Sequence, residues 1–197
     1  MTQQIIIIGG GDSFNTYEEY VSSLKNKEIT LDKFRPRNDW KTSLPQRLGE
    51  DYDTLVPRMP NSNNARYTEW KIWFERMFAF LNNEVILVGH SLGAMFLIKY
   101  LSENTFPKQI KKLFLISSPY GVTEADLEEF KLPESFEAVT KQSKNIFIFH
   151  SKDDAVVPFS EFEEIKKRLP LASVHVFEDR GHFNQEEFPE LVELIKQ

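Results

Sequence analysis

With 197 residues, 41% of them hydrophobic and 27% charged, the chain is sized for one folded domain, 1–197, with a substantial core. A formal net charge of −6 lacks the basic footprint of a general nucleic-acid binder or of a protein drawn to anionic membranes, which leaves small substrates and protein partners. The absence of cysteine excludes a disulfide framework, a thiolate nucleophile and a zinc–thiolate site.

The chain opens on Met1-Thr2-Gln3-Gln4 and four isoleucines, without the basic region or apolar length of a signal peptide. No window approaches the ~18 apolar residues of a membrane span, so a cytoplasmic location is expected. Residues 5–8 read as a fully buried strand that runs into the turn Gly9-Gly10-Gly11. A dinucleotide-binding reading of that turn fails, because Gly-x-Gly-x-x-Gly would need glycine where Phe14 stands. A short helix follows at 17–24, then a long polar, proline-broken connection over 34–49 and a short strand at 54–56 stopped by Pro57 and Pro60. Trp70, Trp73, Phe74, Met77, Phe78 and Leu81 recur at helical spacing across 65–81, as on a helix packed against a sheet.

Residues 84–88 form an apolar run, 89–93 are Gly89-His90-Ser91-Leu92-Gly93, and 94–101 read as a helix. Strand, Gly-x-Ser-x-Gly, helix is the context of a nucleophile elbow. A serine held in a tight strand-to-helix turn projects its hydroxyl clear of the backbone. The flanking glycines remove Cβ atoms that would collide there, and the helix N-terminus offers amide donors to an oxyanion.

Further strands are predicted at 113–117, 146–149 and 174–177, with helices at 159–169 and 186–195. Lys166, Lys167 and Arg168 fall in a last helical turn, where cations suit the dipole, so they read as a helix end rather than a binding patch. Between the strands, 120–143 holds only an acidic helix over 123–130 (Glu124, Asp126, Glu128, Glu129) and a second piece around 133–140. Leu127, Phe130, Leu132, Phe136 and Val139 are the apolar residues available there to cover a site. Such a minimal lid predicts a shallow site that favours short acyl groups and disfavours negatively charged substrates. The alternation predicts an α/β three-layer sandwich: a mostly parallel sheet of about six strands with helices on both faces.

Chemistry in such sheets sits at the carboxyl ends of strands, so an acid and a base are sought after strands downstream of Ser91. His90 must point away from Ser91, His175 lies within a strand, and His150 stands beside the acid candidates. His182, in Asp179-Arg180-Gly181-His182-Phe183 after a strand, has the position of a base. Asp153 and Asp154 follow the strand ending near 149, and either could be the acid. The order Ser, Asp, His is that of the α/β-hydrolase triad, with Ser91 attacking, His182 moving its proton and the aspartate orienting the imidazole.

The chain resembles the α/β-hydrolase superfamily and, within it, the small YdeN-like and retinoblastoma-binding-protein-like serine hydrolases. Ile8-Gly9-Gly10-Gly11-Asp12-Ser13, Met59-Pro60 with Trp70, Gly89–Gly93, Ser151–Phe159 and Gly181-His182-Phe183 carry the likeness over nearly its whole length. The resemblance implies Asp154 as the acid, four residues before Pro158 in a D-x-x-V-P pattern, and His182 as the base in a G-H-F turn. It implies an oxyanion hole from the backbone N–H groups of Leu92 and Gly11. Many relatives carry histidine where this chain has Gly9, and the cysteine-dependent retinoblastoma-binding motif is impossible here.

The expected function is a serine hydrolase of small acyl esters or thioesters that works through an acyl-enzyme, without cofactor or metal. A catalytically weak hydrolase-fold interaction module is the alternative, and the intact Ser91, Asp154 and His182 weigh against it. A metal-assisted hydrolase built on His150, Asp153, Asp154 and His182 would leave the elbow unexplained.

Overall fold

A computed structural model describes residues 2–35, 38–121 and 128–197. Six strands, β1 (Gln3–Ile8), β2 (Tyr52–Leu55), β3 (Glu84–His90), β4 (Gln109–Ile116), β5 (Ile146–Ser151) and β6 (Ser173–Phe177), form one sheet in the order β2-β1-β3-β4-β5-β6. Every neighbouring pair is parallel, so the sheet is parallel throughout rather than mostly so. The register sets Ile8 beside Gly89 and His90 beside Ile116. The carboxyl ends of β1, β3 and β4 therefore lie side by side.

Seven helices among the described residues complete the layers: α1 (Tyr17–Asn26), α2 (Trp40–Leu48), α3 (Tyr67–Arg76), α4 (Leu92–Glu103), α5 (Glu137–Gln142), α6 (Phe159–Arg168) and α7 (Pro189–Lys196). The isoleucine run of β1 is buried on both faces because successive side chains alternate sides. Ile6 and Ile8 join Leu87, Leu115 and Ile148 under α3, α4 and α6. Ile5 and Ile7 join Val88, Phe114 and Ile116 under α2 and α7. Helix α4 is buried nearly all round, so its sequence is apolar except at Lys99, Ser102 and Glu103 near its C-terminal end.

Three predicted segments change. The connection over 34–49 contains α2, capped by Asp39, whose side chain accepts from the N–H groups of Lys41 and Thr42. Pro45 reads as a breaker but lies inside that helix, while Trp40, Leu44 and Leu48, spaced four apart, are its buried stripe. The helix predicted over 65–81 runs only from Tyr67 to Arg76 and tightens into a 3₁₀ turn at Met77–Phe80, where Phe78 packs on Phe106 with centroids 5.0 Å apart. Of the acidic helix predicted over 123–130, residues 123–127, Leu127 included, lie outside the described residues; Glu128–Phe130 form a 3₁₀ turn. Phe130, Leu132, Phe136 and Val139 are core residues rather than a cover over the site. No helix among the described residues is long and apolar enough to cross a membrane.

Candidate active site

Ser91 stands between β3 and α4 with φ 56° and ψ −127°, a strained conformation for a residue bearing a Cβ. Its N–H donates to the Ile116 carbonyl at 2.8 Å, which ties the turn to the end of β4. The glycines on either side are required by space. A Cβ on Gly89 would stand 2.4 Å from Ala94 Cα, and one on Gly93 would stand 2.2 Å from the Ile8 carbonyl oxygen. That second contact packs the start of α4 on the end of β1, which brings the Gly9-Gly10-Gly11 turn to the serine. Gly10 is the residue that meets it: a Cβ there would lie 3.0 Å from Ser91 Cβ. A Cβ on Gly11 would meet the Ser62 carbonyl oxygen at 2.5 Å and the Trp70 ring at 3.3 Å, so glycine is required there by space as well. Leu92 is the first residue of α4, where N–H groups lack intrahelical partners.

Asp154 follows β5, and its carboxylate is surrounded by donors. Oδ1 accepts the N–H groups of Val156 at 2.8 Å and Val157 at 2.9 Å, and Oδ2 accepts the Ser117 hydroxyl at 2.5 Å. His182 Nδ1 lies 2.9 Å from Oδ2 and 3.1 Å from Oδ1. Burial alone would push this carboxyl up. The hydrogen bonds from His182, Ser117 and the Val157 N–H together outweigh it and hold the pKa at about 2. Ser117 is fully buried at φ 46° just past β4, and sequence reasoning misses it because a serine ending a buried strand carries no distinguishing pattern.

The neighbouring Asp153 points elsewhere. Its Oδ1 accepts the Ser151 hydroxyl at 2.5 Å and the Gly181 N–H at 2.8 Å, and these bonds hold its pKa below the usual carboxylate range. The structure thus brings Asp154, rather than Asp153, to His182. His150 is buried with Nε2 3.0 Å from the Val157 carbonyl, and burial lowers its pKa. It packs on Phe162, and among the described residues no group of three or more His, Asp or Glu side chains is placed to hold a metal ion. His175 stacks on Phe149 at 4.7 Å in the sheet.

Among the described residues no hydrogen bond joins Ser91 Oγ to His182, and such bonds are commonly long before substrate arrives. What links the two is His90, whose Nε2 lies 2.9 Å from the His182 carbonyl oxygen with ring centroids 4.9 Å apart. A cavity of about 750 Å³ opens beside the turn, walled by Gly10, Tyr17, Arg58, Asn61, Ser62 and Asn64 among others. Buried Glu161 on α6 accepts the N–H groups of Tyr120 at 2.6 Å and Gly121 at 2.7 Å, which anchors the chain where it leaves the end of β4.

The chain as a whole is similar to known proteins. The sequence pattern of the serine hydrolase family matches residues 33–195. Serine hydrolase RBBP9 of Rattus norvegicus is 31% identical over 150 residues, 74% of this chain and 77% of that protein. The putative hydrolase YdeN of Bacillus subtilis (strain 168) is 28% identical over 154 residues, 76% of this chain and 80% of that protein. Among solved structures, that of the ydeN gene product from B. subtilis superposes with a TM-score of 0.75 at 21% identity, over 99% of this chain and 97% of that one, a likeness of fold.

Proposed function

The chain belongs to the serine hydrolase family, and on that premise we propose that it cleaves small carboxylic esters or thioesters through a Ser91 acyl-enzyme. The observation that carries this reading is the pairing of His182 with Asp154 beside a serine held at φ 56°. Asp154, ionised, accepts the Nδ1 proton of His182 and so leaves Nε2 as the free base. Nε2 takes the Ser91 proton as Oγ attacks the acyl carbon, and returns it to the departing alkoxide or thiolate. The charged imidazolium formed in between is stabilised by the carboxylate. The tetrahedral oxyanion takes hydrogen bonds from the Leu92 N–H at the start of α4 and from the Gly11 N–H, in the turn whose Gly10 packs on Ser91. Water then repeats the attack on the acyl-enzyme and releases the acid.

A fluorophosphonate probe followed by mapping of the modified residue tests this. Ser91 is the expected site, and Ser91→Ala is expected to abolish labelling and lower ester turnover by several orders of magnitude. Labelling at another serine, or near-normal turnover in Ser91→Ala, would overturn the reading.

A further inference from the structure

Four consecutive residues around the base are each held by a side chain from elsewhere in the fold. The Arg180 N–H donates to Ser151 Oγ at 2.9 Å, and the Gly181 N–H donates to Asp153 Oδ1 at 2.8 Å. The His182 carbonyl faces His90 Nε2 at 2.9 Å, and the Phe183 carbonyl accepts the Trp40 indole N–H at 2.9 Å. The donors and acceptors come from the last residue of β5 and the loop after it, the last residue of β3 and the first residue of α2. Within the turn, Gly181 and Phe183 both have φ 51°. For Phe183 that conformation is costly, and it persists only where the surroundings over-determine it.

We propose that His90 and Trp40 are positioning residues for the base, together fixing the two successive carbonyls of the turn that presents His182. His90 directly precedes Ser91, so one strand end sets both the nucleophile and, through this hydrogen bond, the base. A carbonyl can only accept, so the proton of the neutral His90 ring resides on Nε2. Burial, then Lys41 and His182, holds the His90 pKa well below its ordinary value, so the ring is neutral. A neutral ring adds no like charge beside the imidazolium that His182 becomes when it takes the serine proton. Trp40 is buried, and its ring meets that of His90 edge-on at 6.0 Å, so the two donors form one packed unit. The turn could shift by an ångström without unfolding the domain if these donors were lost, and displacements of that size cost catalysis heavily.

The positioning role rests on His182 being the base, and the experiment separates the two. Turnover of p-nitrophenyl acetate is measured per active site in His90→Leu, His90→Gln and Trp40→Phe, with active sites counted by fluorophosphonate labelling. The ring ¹⁵N signals of His182 are recorded in parallel. His90→Leu and Trp40→Phe are expected to lower kcat roughly ten- to a hundredfold while KM stays within about twofold. His90→Gln, whose amide N–H can reach the same carbonyl, is expected to recover most of that loss. The His182 ring signals, single in the parent, are expected to broaden or double in His90→Leu while the rest of the spectrum stays that of a folded protein. Unchanged kcat per labelled site in the Leu and Phe variants, or a Gln variant no better than Leu, would overturn the proposal. If His90→Leu does not fold, Trp40→Phe against the parent decides the matter by the same measurements. If Ser91 proves unreactive, the serine reading fails, and the His182 ring spectra alone decide whether His90 and Trp40 hold the turn.

Discussion

Replacing Asp154 by asparagine tests the site most directly, because every atom around the carboxylate is a donor. Val156 N–H and Val157 N–H converge on Oδ1, while the Ser117 hydroxyl and His182 Nδ1 converge on Oδ2. An amide must turn its NH₂ toward one of these groups. Toward Oδ1 it would meet two fixed backbone donors. Toward Oδ2 it meets a hydroxyl that can rotate to accept and an imidazole that can change tautomer, so that orientation wins. His182 then accepts at Nδ1 and carries its proton on Nε2, where it can no longer take the Ser91 proton. We expect kcat to fall roughly 10³- to 10⁴-fold with KM little changed. Stability should fall too. Lowering the pKa from 3.8 to about 2 means that the ionised group contributes about 2 kcal/mol to folding at neutral pH. The assay is steady-state hydrolysis of p-nitrophenyl acetate together with urea unfolding at pH 7. Asp153→Asn is the control, since its remaining carbonyl can still accept the Gly181 N–H, and its cost should be small. Near-parental kcat in Asp154→Asn, or a larger loss in Asp153→Asn, would refute the assignment and the tautomer argument with it.

Acid sensitivity should begin well above the carboxylate range. Burial lowers the pKa values of His90, His150 and His175, so below about pH 6.5 the unfolded chain binds protons that the folded chain refuses. Stability from these groups is fully present above pH 6.5 and is lost as the pH falls; the Asp154 contribution follows only between 3.8 and about 2. Unfolding free energies from pH 8 to 5 check this, with a flat profile the contrary result and a shallower slope expected in His90→Gln. Acyl-chain preference should favour acetyl and butyryl esters, since Phe130, Phe136 and Val139 are buried in the core and the cavity beside Gly10 is walled by Arg58 and asparagines. In an apolar channel each added CH₂ would raise kcat/KM roughly fourfold; a steady climb beyond about eight carbons in a p-nitrophenyl ester series would reveal one.

The elements that set the architecture are written locally. Ile5–Ile8 is apolar without alternation because it is buried on both faces, and 89–93 needs glycine at both ends because two backbones approach within less than a Cβ allows. Such constraints act between near neighbours in the chain or on one residue at a time, so the sequence displays them. Helix α2 is half legible: the spacing of Trp40, Leu44 and Leu48 carries it, and Pro45 conceals it. The order Ser, Asp, His and the positions after strands narrow the acid to two adjacent aspartates, and only the resemblance, through the spacing to Pro158, points to Asp154. The choice between Asp153 and Asp154 is geometric, set by which carboxylate the loop after β5 turns toward His182 and which toward the Gly181 N–H. Ser117, His90 and Trp40 acquire their roles only when β3, β4 and α2 converge, since each makes its decisive hydrogen bond to a residue 37, 92 or 143 positions away. A hydrogen bond is a matter of ångströms and angles across the fold, and no periodicity along the chain records it.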